Sequence, residues 1–389
     1  MNGAGRILFY SHNGVGVGHV QRQLKLAAAY AGSHPDAAVL LVTGSHAAGT
    51  LDWPPGLDYV KLPSIRMVDR YENWEPREVG VPIKRLMRLR ADLIKQAVRR
   101  FRPQLLVADF LPAGPYDELL PALEELGAQG GRAVAGFRDI IDEPGFVRGL
   151  WDRTGVHDVI RDHYSGVCVY GAREVVDFER AYGLEAPGPS GLFYAGFLTR
   201  RSLEAPVADR PLVICTTGGG VDGGPLIAAF IEAAREVRRE LGGRWVALTG
   251  PLIADEEHER LALAADGGGG AEVIRSVDDL QGLLAAADGV VAMAGYNTAC
   301  ELLAARVPAL IVPRGGPSME QRLRAAQLER WGAARVLEPE DANASAIAAG
   351  IRVLLGAARP EPAQVELGVL ARAAGFFDGV AAGTAIEAR

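Results

Sequence analysis

The chain reads as an α/β protein built from two doubly wound halves, each a parallel sheet covered by helices on both faces. Three observations carry that reading. Short apolar runs alternate with amphipathic stretches along the 389 residues. The rhythm breaks at a polar segment, 199–210, which contains Pro206, and then restarts. Glycine is enriched, at 48 residues, and gathers after the first strand of each half, in 14–18 and 218–224.

Taken in order, residues 6–10 (RILFY) form a buried strand, 21–31 a helix, and 38–43 (AVLLVT) a second strand. Strands at 104–109 (QLLVAD), 133–137 (AVAGF) and 166–170 (GVCVY) continue the first half. The second half opens at 211–215 (PLVIC), followed by strands at 245–249, 272–275, 289–293 and 309–312. Continuous aliphatic runs with helices between them are what a parallel sheet buried on both faces requires. The expected domains are 1–200 and 211–360, facing a cleft that is a natural ligand site. A helical tail at 361–389 has the first domain as its candidate packing partner.

Composition narrows the function classes. Forty-one basic residues against 48 acidic ones give a net charge of −7, which argues against a nucleic-acid partner. Cys168, Cys215 and Cys300 lie far apart and make neither a disulfide framework nor a zinc pattern, so no metal site is expected. The first ten residues lack a signal-peptide pattern, and no apolar run approaches the length of a membrane span. A soluble cytoplasmic protein is expected.

Five constellations carry candidate chemistry. The first is 11–19 (SHNGVGVGH), where Gly14, Gly16 and Gly18 precede a helix N-terminus whose free amides suit an anion or a hydroxyl. A dinucleotide fingerprint would need glycine where His19 stands, and an acidic ribose ligand where only Asp36 occurs, so a nicotinamide cofactor is disfavoured. His19 is a candidate general base, or a helix-start histidine with a structural hydrogen bond. The second is 216–224 (TTGGGVDGG), which offers amides to phosphate or makes a plain strand–helix turn. It lacks the Lys-Ser/Thr ending of a nucleotide-hydrolysing loop.

The third is 294–301 (AGYNTACE). Thr298 and Glu301 have capping-box spacing; alternatively the helix start receives a diphosphate and Glu301 a sugar diol. In the fourth, 313–325, Glu320 and Gln321 either grip sugar hydroxyls or begin a solvated helix. The fifth is basic: Lys84, Arg85, Arg88, Arg90, Lys95, Arg99, Arg100 and Arg102, with apolar residues at helical spacing. It is a solvated helix face, or a contact for anionic lipid or a phosphorylated acceptor. Asp109 ends one strand, and Arg138 and Asp139 follow another, where ligand-contacting residues are expected; Arg138 and Asp139 alternatively pair with each other.

Together these motifs resemble the GT-B glycosyltransferases, in particular the group of the bacterial peptidoglycan N-acetylglucosaminyltransferase and its cytoplasmic relatives. The likeness is strongest from Val273 to Leu337, where an Asp-Asp-Leu helix, a short strand, a small-Gly loop with a Thr-x-x-Glu helix, a Val-Pro strand and an acidic/Gln pair follow in order. The resemblance implies two Rossmann-like domains, with a nucleoside-diphosphate sugar held mainly by the second. The backbone near Val277 would hold the base and Glu301 the ribose. Gly218, Gly219, Gly220, Gly295, Asn297 and Thr298 would face the diphosphate, and Glu320 and Gln321 the donor sugar. On the acceptor side stand Gly16, Gly18, Arg138 and Asp139, with His19, or a carboxylate such as Asp109, as proton acceptor.

The implied reaction is an inverting, metal-independent transfer from a UDP-sugar, such as UDP-N-acetylglucosamine, to a hydroxyl of a small-molecule or lipid-linked acceptor. No cofactor is implied, and peripheral membrane contact is compatible with it. Two departures stand out: 218–220 lacks the serine of the peptidoglycan enzyme, and position 320 is Glu where that enzyme has Gln. The rival readings are a nucleotide-sugar hydrolase or epimerase and a non-catalytic sugar-nucleotide-binding protein. The sequence leaves the oligomeric state open.

Overall fold

A computed structural model describes residues 5–12, 16–185, 187–188, 190–199, 211–266, 270–362 and 365–384. Gly14, nearly all of the 199–210 linker and most of the glycine tract at 267–270 lie outside the described residues. The chain divides into two units: Met1–Leu198 with Gly368–Arg389, and Thr199–Leu367.

Unit 1 follows the apolar runs. Its elements are β1 (Arg6–Ser11), α1 (Gly18–Ser33), β2 (Ala38–Thr43), β3 (Leu57–Lys61), β4 (Ile65–Met67), β5 (Trp74–Pro76), α2 (Ile83–Phe101), β6 (Leu105–Asp109), α3 (Leu120–Ala128), β7 (Arg132–Arg138), α4 (Pro144–Thr154), α5 (Val156–His163), β8 (Gly166–Tyr170), α6 (Phe178–Tyr182) and β9 (Leu192–Tyr194). Seven strands form one parallel sheet in the order β3-β2-β1-β6-β7-β8-β9, and β4 and β5 make a separate antiparallel pair. The central strands β1, β6, β7 and β8 are buried on both faces, which is why they read as unbroken apolar runs. The strands that the apolar pattern misses are at the edges or in the hairpin: β3 (LDYVK) is only partly covered, and β4, β5 and β9 have three residues each.

Helix α2 corrects one sequence expectation. Leu86, Arg90, Ile94 and Val98 recur every four residues, so Arg90 lies in the buried stripe rather than on the solvated basic face. Its charge is met there by Glu118: Arg90 Nε and Nη2 each donate at 2.6 Å to a different carboxylate oxygen, and Tyr10 Oη donates at 2.6 Å to Oε1. Lys84, Arg85, Arg88, Arg99 and Arg100 are exposed, together with Leu89 and Leu93.

Unit 2 contains β10 (Leu212–Thr216), α7 (Gly224–Leu241), β11 (Arg244–Leu248), α8 (Asp255–Asp266), β12 (Glu272–Ile274), α9 (Leu280–Ala286), β13 (Gly289–Ala292), α10 (Tyr296–Ala305), β14 (Ala309–Ile311), α11 (Glu320–Arg330), β15 (Arg335–Val336) and α12 (Ala344–Leu355). Its six strands are all parallel, in the order β12-β11-β10-β13-β14-β15. Ile227, Phe230, Ile231 and Val237 of α7 meet Ile347, Ile351 and Leu354 of α12 in one buried cluster with the strands.

The last helix, α13 (Leu370–Ala382), belongs to unit 1. Phe376 stacks on Phe193 at 4.8 Å and Phe377 meets Phe9 edge-on at 6.0 Å. Tyr30 of α1 donates to Asp378 at 3.0 Å, and Arg132 Nη1 donates to the Ala381 carbonyl at 2.6 Å. Residues 365–369 before it are not helical.

Both sheets reverse their winding direction beside their first strand, between β1 and β6 and between β10 and β13. The loops at the carboxyl ends of these strands are where doubly wound folds bind ligands.

Candidate active site

In unit 1 the switch-point loops bring three side chains together. Asp109 is the last residue of β6; His19 and Arg22 lie on the first two turns of α1, three residues apart and therefore on one helix face. His19 Nδ1 lies 2.6 Å from Asp109 Oδ2. Arg22 forks across the same carboxylate, with Nε and Nη2 at 2.9 and 2.8 Å from Oδ1 and Nη2 at 2.9 Å from Oδ2. The Asp109 side chain is fully buried and Arg22 nearly so, whereas the His19 side chain is 15% exposed.

The partners decide the tautomer. A carboxylate held by a guanidinium has only lone pairs to offer, so at 2.6 Å the proton must sit on His19 Nδ1 and be donated to Asp109. Arg22 Nη2, 3.0 Å from that nitrogen, has only N–H groups and cannot be accepted by it. Nε2 then carries the lone pair, and it has no partner among the described residues.

The charges follow from the same contacts. Burial opposes ionisation of Asp109, but Arg22 and His19 overcome it and hold the carboxyl well below the usual range. For His19, burial lowers the pKa below the ordinary imidazole value; Asp109 pulls it up, and Arg22 and Arg138 push it down. The result is a neutral imidazole beside a permanent carboxylate, an arrangement able to take a proton on Nε2.

Aromatic rings wall this group. His12, just past β1, lies 4.8 Å ring to ring from His19 and meets Trp74 edge-on at 5.6 Å. Phe110 follows Asp109 with φ of +70°, a left-handed turn that brings its ring to 5.3 Å from His19. Tyr71 lies 5.2 Å ring to ring from Phe110. Arg138 stands over the Phe110 ring at 4.7 Å, donates to the Ile140 and Ile141 carbonyls, and reaches Tyr71 Oη at 3.3 Å. Asp139 is buried and accepts from the Ile140 amide at 2.7 Å. Gly16 has φ of +72° and Gly18 opens α1.

In unit 2 the loop after β10 interlocks with those after β11 and β13. Gly220 has φ of +89°, and a Cβ there would stand 2.1 Å from the Thr249 carbonyl oxygen, so only glycine fits. Gly219 accepts from the Leu252 amide at 2.9 Å. A Cβ at Gly218 would reach Thr298 Oγ1 at 3.5 Å, and one at Gly295 would reach it at 3.9 Å, which brings the two glycine loops to the same hydroxyl.

Helix α10 corrects the capping-box reading. Gly295, in an extended conformation, is the N-cap and makes no side-chain cap. The helix therefore begins at Tyr296, with Asn297 and Thr298 inside its first turn and half-buried Glu301 one turn on. The helix turns in at Gly295, three residues before the threonine, which leaves Thr298 and Glu301 out of capping register.

At α11, Glu320 Oε1 pairs with Arg324 Nη1 at 2.7 Å, and the same Nη1 donates to the Ala294 carbonyl at 2.9 Å. Gln321 Oε1 accepts from the Arg314 amide at 3.0 Å, and Arg314 pairs with Asp222. Three of the sequence-predicted donor-side segments are thus linked by Arg314 and Arg324. Val277 lies half-buried in the loop between β12 and α9. Among the described residues, no cluster of three or more His, Cys, Asp or Glu side chains could hold a metal ion.

Sequence reasoning missed Arg22, His12, Phe110, Trp74, Tyr71 and Arg324. For Arg22 and Arg324 a signal exists, since His19-x-x-Arg22 and Glu320-x-x-x-Arg324 have same-face helical spacing.

Residues 213–365 match the glycosyltransferase family 28 C-terminal domain. The UDP-N-acetylglucosamine--N-acetylmuramyl-(pentapeptide) pyrophosphoryl-undecaprenol N-acetylglucosamine transferase of Paenarthrobacter aurescens (strain TC1) is 28% identical over 339 residues, covering 83% of this chain and 81% of that one. The enzyme of the same name from Desulforudis audaxviator (strain MP104C) is 26% identical over 341 residues, covering 83% of each. Among solved structures, Acinetobacter baumannii MurG aligns with a TM-score of 0.57 at 14% identity, covering 96% of this chain and 99% of that one. The calicheamicin glycosyltransferase CalG4 aligns with a TM-score of 0.65 at 15% identity, covering 99% and 100%.

Proposed function

We propose that this GT-B glycosyltransferase, whose residues 213–365 form a family 28 C-terminal domain, moves a sugar from a UDP-sugar to a hydroxyl of a lipid-linked acceptor, with His19 as the base. The observation that carries the reading is the neutral His19 imidazole, anchored through Nδ1 on Asp109 with Nε2 left to accept a proton. The acceptor oxygen attacks the anomeric carbon while its proton passes to Nε2. The bond from that carbon to the diphosphate breaks, and its electron pair leaves with UDP. Attack opposite the leaving group inverts the anomeric centre. Asp109 takes no proton in this scheme; it orients the ring and balances the charge that the ring acquires.

On the donor side, the amides of 218–220 and the start of α10 at Asn297 and Thr298 would stabilise the departing diphosphate without a metal ion. Glu301 would take the ribose, the backbone at Val277 the base, and Glu320 and Gln321 the sugar. The relatives' names support UDP-N-acetylglucosamine as donor and an undecaprenyl-diphosphate-linked saccharide as acceptor. No helix among the described residues is long and apolar enough to cross a membrane. The exposed leucines of α2, Leu89 and Leu93, flanked by Arg85 and Arg88, support peripheral contact with an anionic bilayer instead.

The test is UDP-N-acetylglucosamine turnover with and without undecaprenyl-diphosphate-linked N-acetylmuramyl pentapeptide, in the presence of EDTA. Acceptor-dependent UDP release with a glycosylated lipid product is expected, and His19→Ala should lower it by about 10²–10⁴-fold. Free sugar released at the same rate without acceptor would make the protein a hydrolase. Full activity of the His19→Ala protein would remove His19 from the base role.

A further inference from the structure

A histidine beside a buried carboxylate does not stay neutral by default. An uncompensated anion 2.6 Å away would draw a second proton onto the ring, and an imidazolium cannot accept the acceptor's proton. Burial is the largest influence keeping the ring neutral, and a counter-charge that offsets the field of Asp109 acts beside it. Among the described residues, the titratable or charged groups facing the ring include Asp109 from β6, Arg22 from α1, Arg138 from β7 and His12 from the end of β1. His12 is itself buried and kept neutral, first by desolvation and then by His19 and Arg90, against the pull of Asp109. Arg138 is turned toward the Ile140 and Ile141 carbonyls and Phe110.

Of these, Arg22 is the one placed by its side chain against both the Asp109 carboxylate and His19 Nδ1. It contacts both Asp109 oxygens, and its Nη2 lies 3.0 Å from His19 Nδ1 without an acceptor there to receive it. We infer that Arg22 is a positioning residue for this site: it supplies the counter-charge that keeps Asp109 an anion while leaving the His19 ring uncharged and ready to accept a proton. The guanidinium suits the task because its planar fork spans both carboxylate oxygens and it keeps its proton when buried.

The inference rests on His19 being the base, yet it can be tested without turnover. Nitrogen-15 NMR titration of the full chain, which has seven histidines, reads the protonation of His19 directly, with His19→Gln assigning its signals. In the unaltered protein His19 should hold its proton on Nδ1 and titrate below pH ~6.5. In Arg22→Met the midpoint should rise by about one pH unit or more, because the carboxylate is no longer compensated. In Arg22→Lys, which retains the charge, it should stay near the original value.

A folded Arg22→Met protein with an unshifted His19 midpoint would overturn the inference, as would an Arg22→Lys midpoint raised as far as that of Arg22→Met. Should Arg22→Met not fold, Asp109→Asn reads the same balance from the other side. With Arg22 kept and the carboxylate gone, the His19 midpoint should fall, and an unchanged one would overturn the inference. If instead the titrations behave as expected but His19→Ala retains full transfer, the assignment of the base fails and the role of Arg22 in the charge balance stands.

Discussion

Arg324 holds Glu320 by a 2.7 Å ion pair one helical turn away, and the same guanidinium nitrogen donates to the Ala294 carbonyl. A charge at the start of α11 is thereby tied to the loop that opens α10. The Arg324 side chain is almost wholly buried and that of Glu320 is 13% exposed, so the carboxylate has one fixed direction. Replacing Arg324 with Met should raise the KM for the UDP-sugar about tenfold, equivalent to ~1.4 kcal/mol, and leave the Kd of UDP within about twofold. Isothermal titration with UDP beside steady-state kinetics separates the two; equal losses in both would mean that Arg324 supports the whole donor loop rather than the sugar end.

The acid limb of kcat/KM should lie below pH ~6.5, the ordinary imidazole value. With His19 as the proposed base, its neutral form is the active one; its folded-state pKa is depressed, chiefly by burial, so activity should persist as the pH falls past the ordinary value and be lost only below it. Stability has the same sign. The unfolded chain takes up the proton first, so the contribution of His19 is complete above ~6.5 and is lost as the pH falls through the folded value. A pH–rate profile and a denaturant series over the same range measure both.

Gly218 and Gly220 should respond differently to alanine. Both have positive φ, +66° and +89°, but a Cβ at Gly218 meets only Thr298 Oγ1 at 3.5 Å, whereas one at Gly220 strikes the Thr249 carbonyl at 2.1 Å. Gly218→Ala should cost about 1–2 kcal/mol of stability and keep some UDP binding. Gly220→Ala must push β11's following loop aside and should abolish UDP binding, with a larger drop in Tm. Equal effects would show that strain alone, not the interlock of the loops, sets the requirement.

The α2 face predicts salt-dependent binding to lipid. Leu89 and Leu93 are 48% and 37% exposed beside arginines. The double change of both leucines to Ser should reduce flotation with vesicles containing anionic lipid and leave the fold intact, since neither side chain belongs to the core. Salt should weaken the binding of the unaltered protein by screening. Binding unaffected by either change would move the membrane contact elsewhere.

Much of the fold was legible because it is locally encoded. An apolar run flanked by turn residues becomes a buried strand wherever it lies in a parallel sheet, and glycines mark the loop that follows. That logic located both halves, the loop before His19 and the loop at 218–220. It missed the short and edge strands β3, β4, β5, β9 and β15, whose partly exposed residues carry no such pattern. It also read Arg90 by its charge, although its four-residue spacing with Leu86, Ile94 and Val98 put it inside.

What the sequence determined by itself, then, was which segments become strands, loops and helices, and that His19 and Asp109 end up where such folds bind ligands. Only the tertiary structure decided that they touch. Arg22 and Asp109 are 87 residues apart, and they meet because the sheet order places β6 beside β1, so the end of one strand faces the helix that follows the other. The same holds for Arg90 with Glu118, and for Asp378 with Tyr30, 348 residues away. Side-chain type and local spacing state what a residue can do. Strand order and burial decide which charges become neighbours, and so which nitrogen of His19 is left to accept a proton.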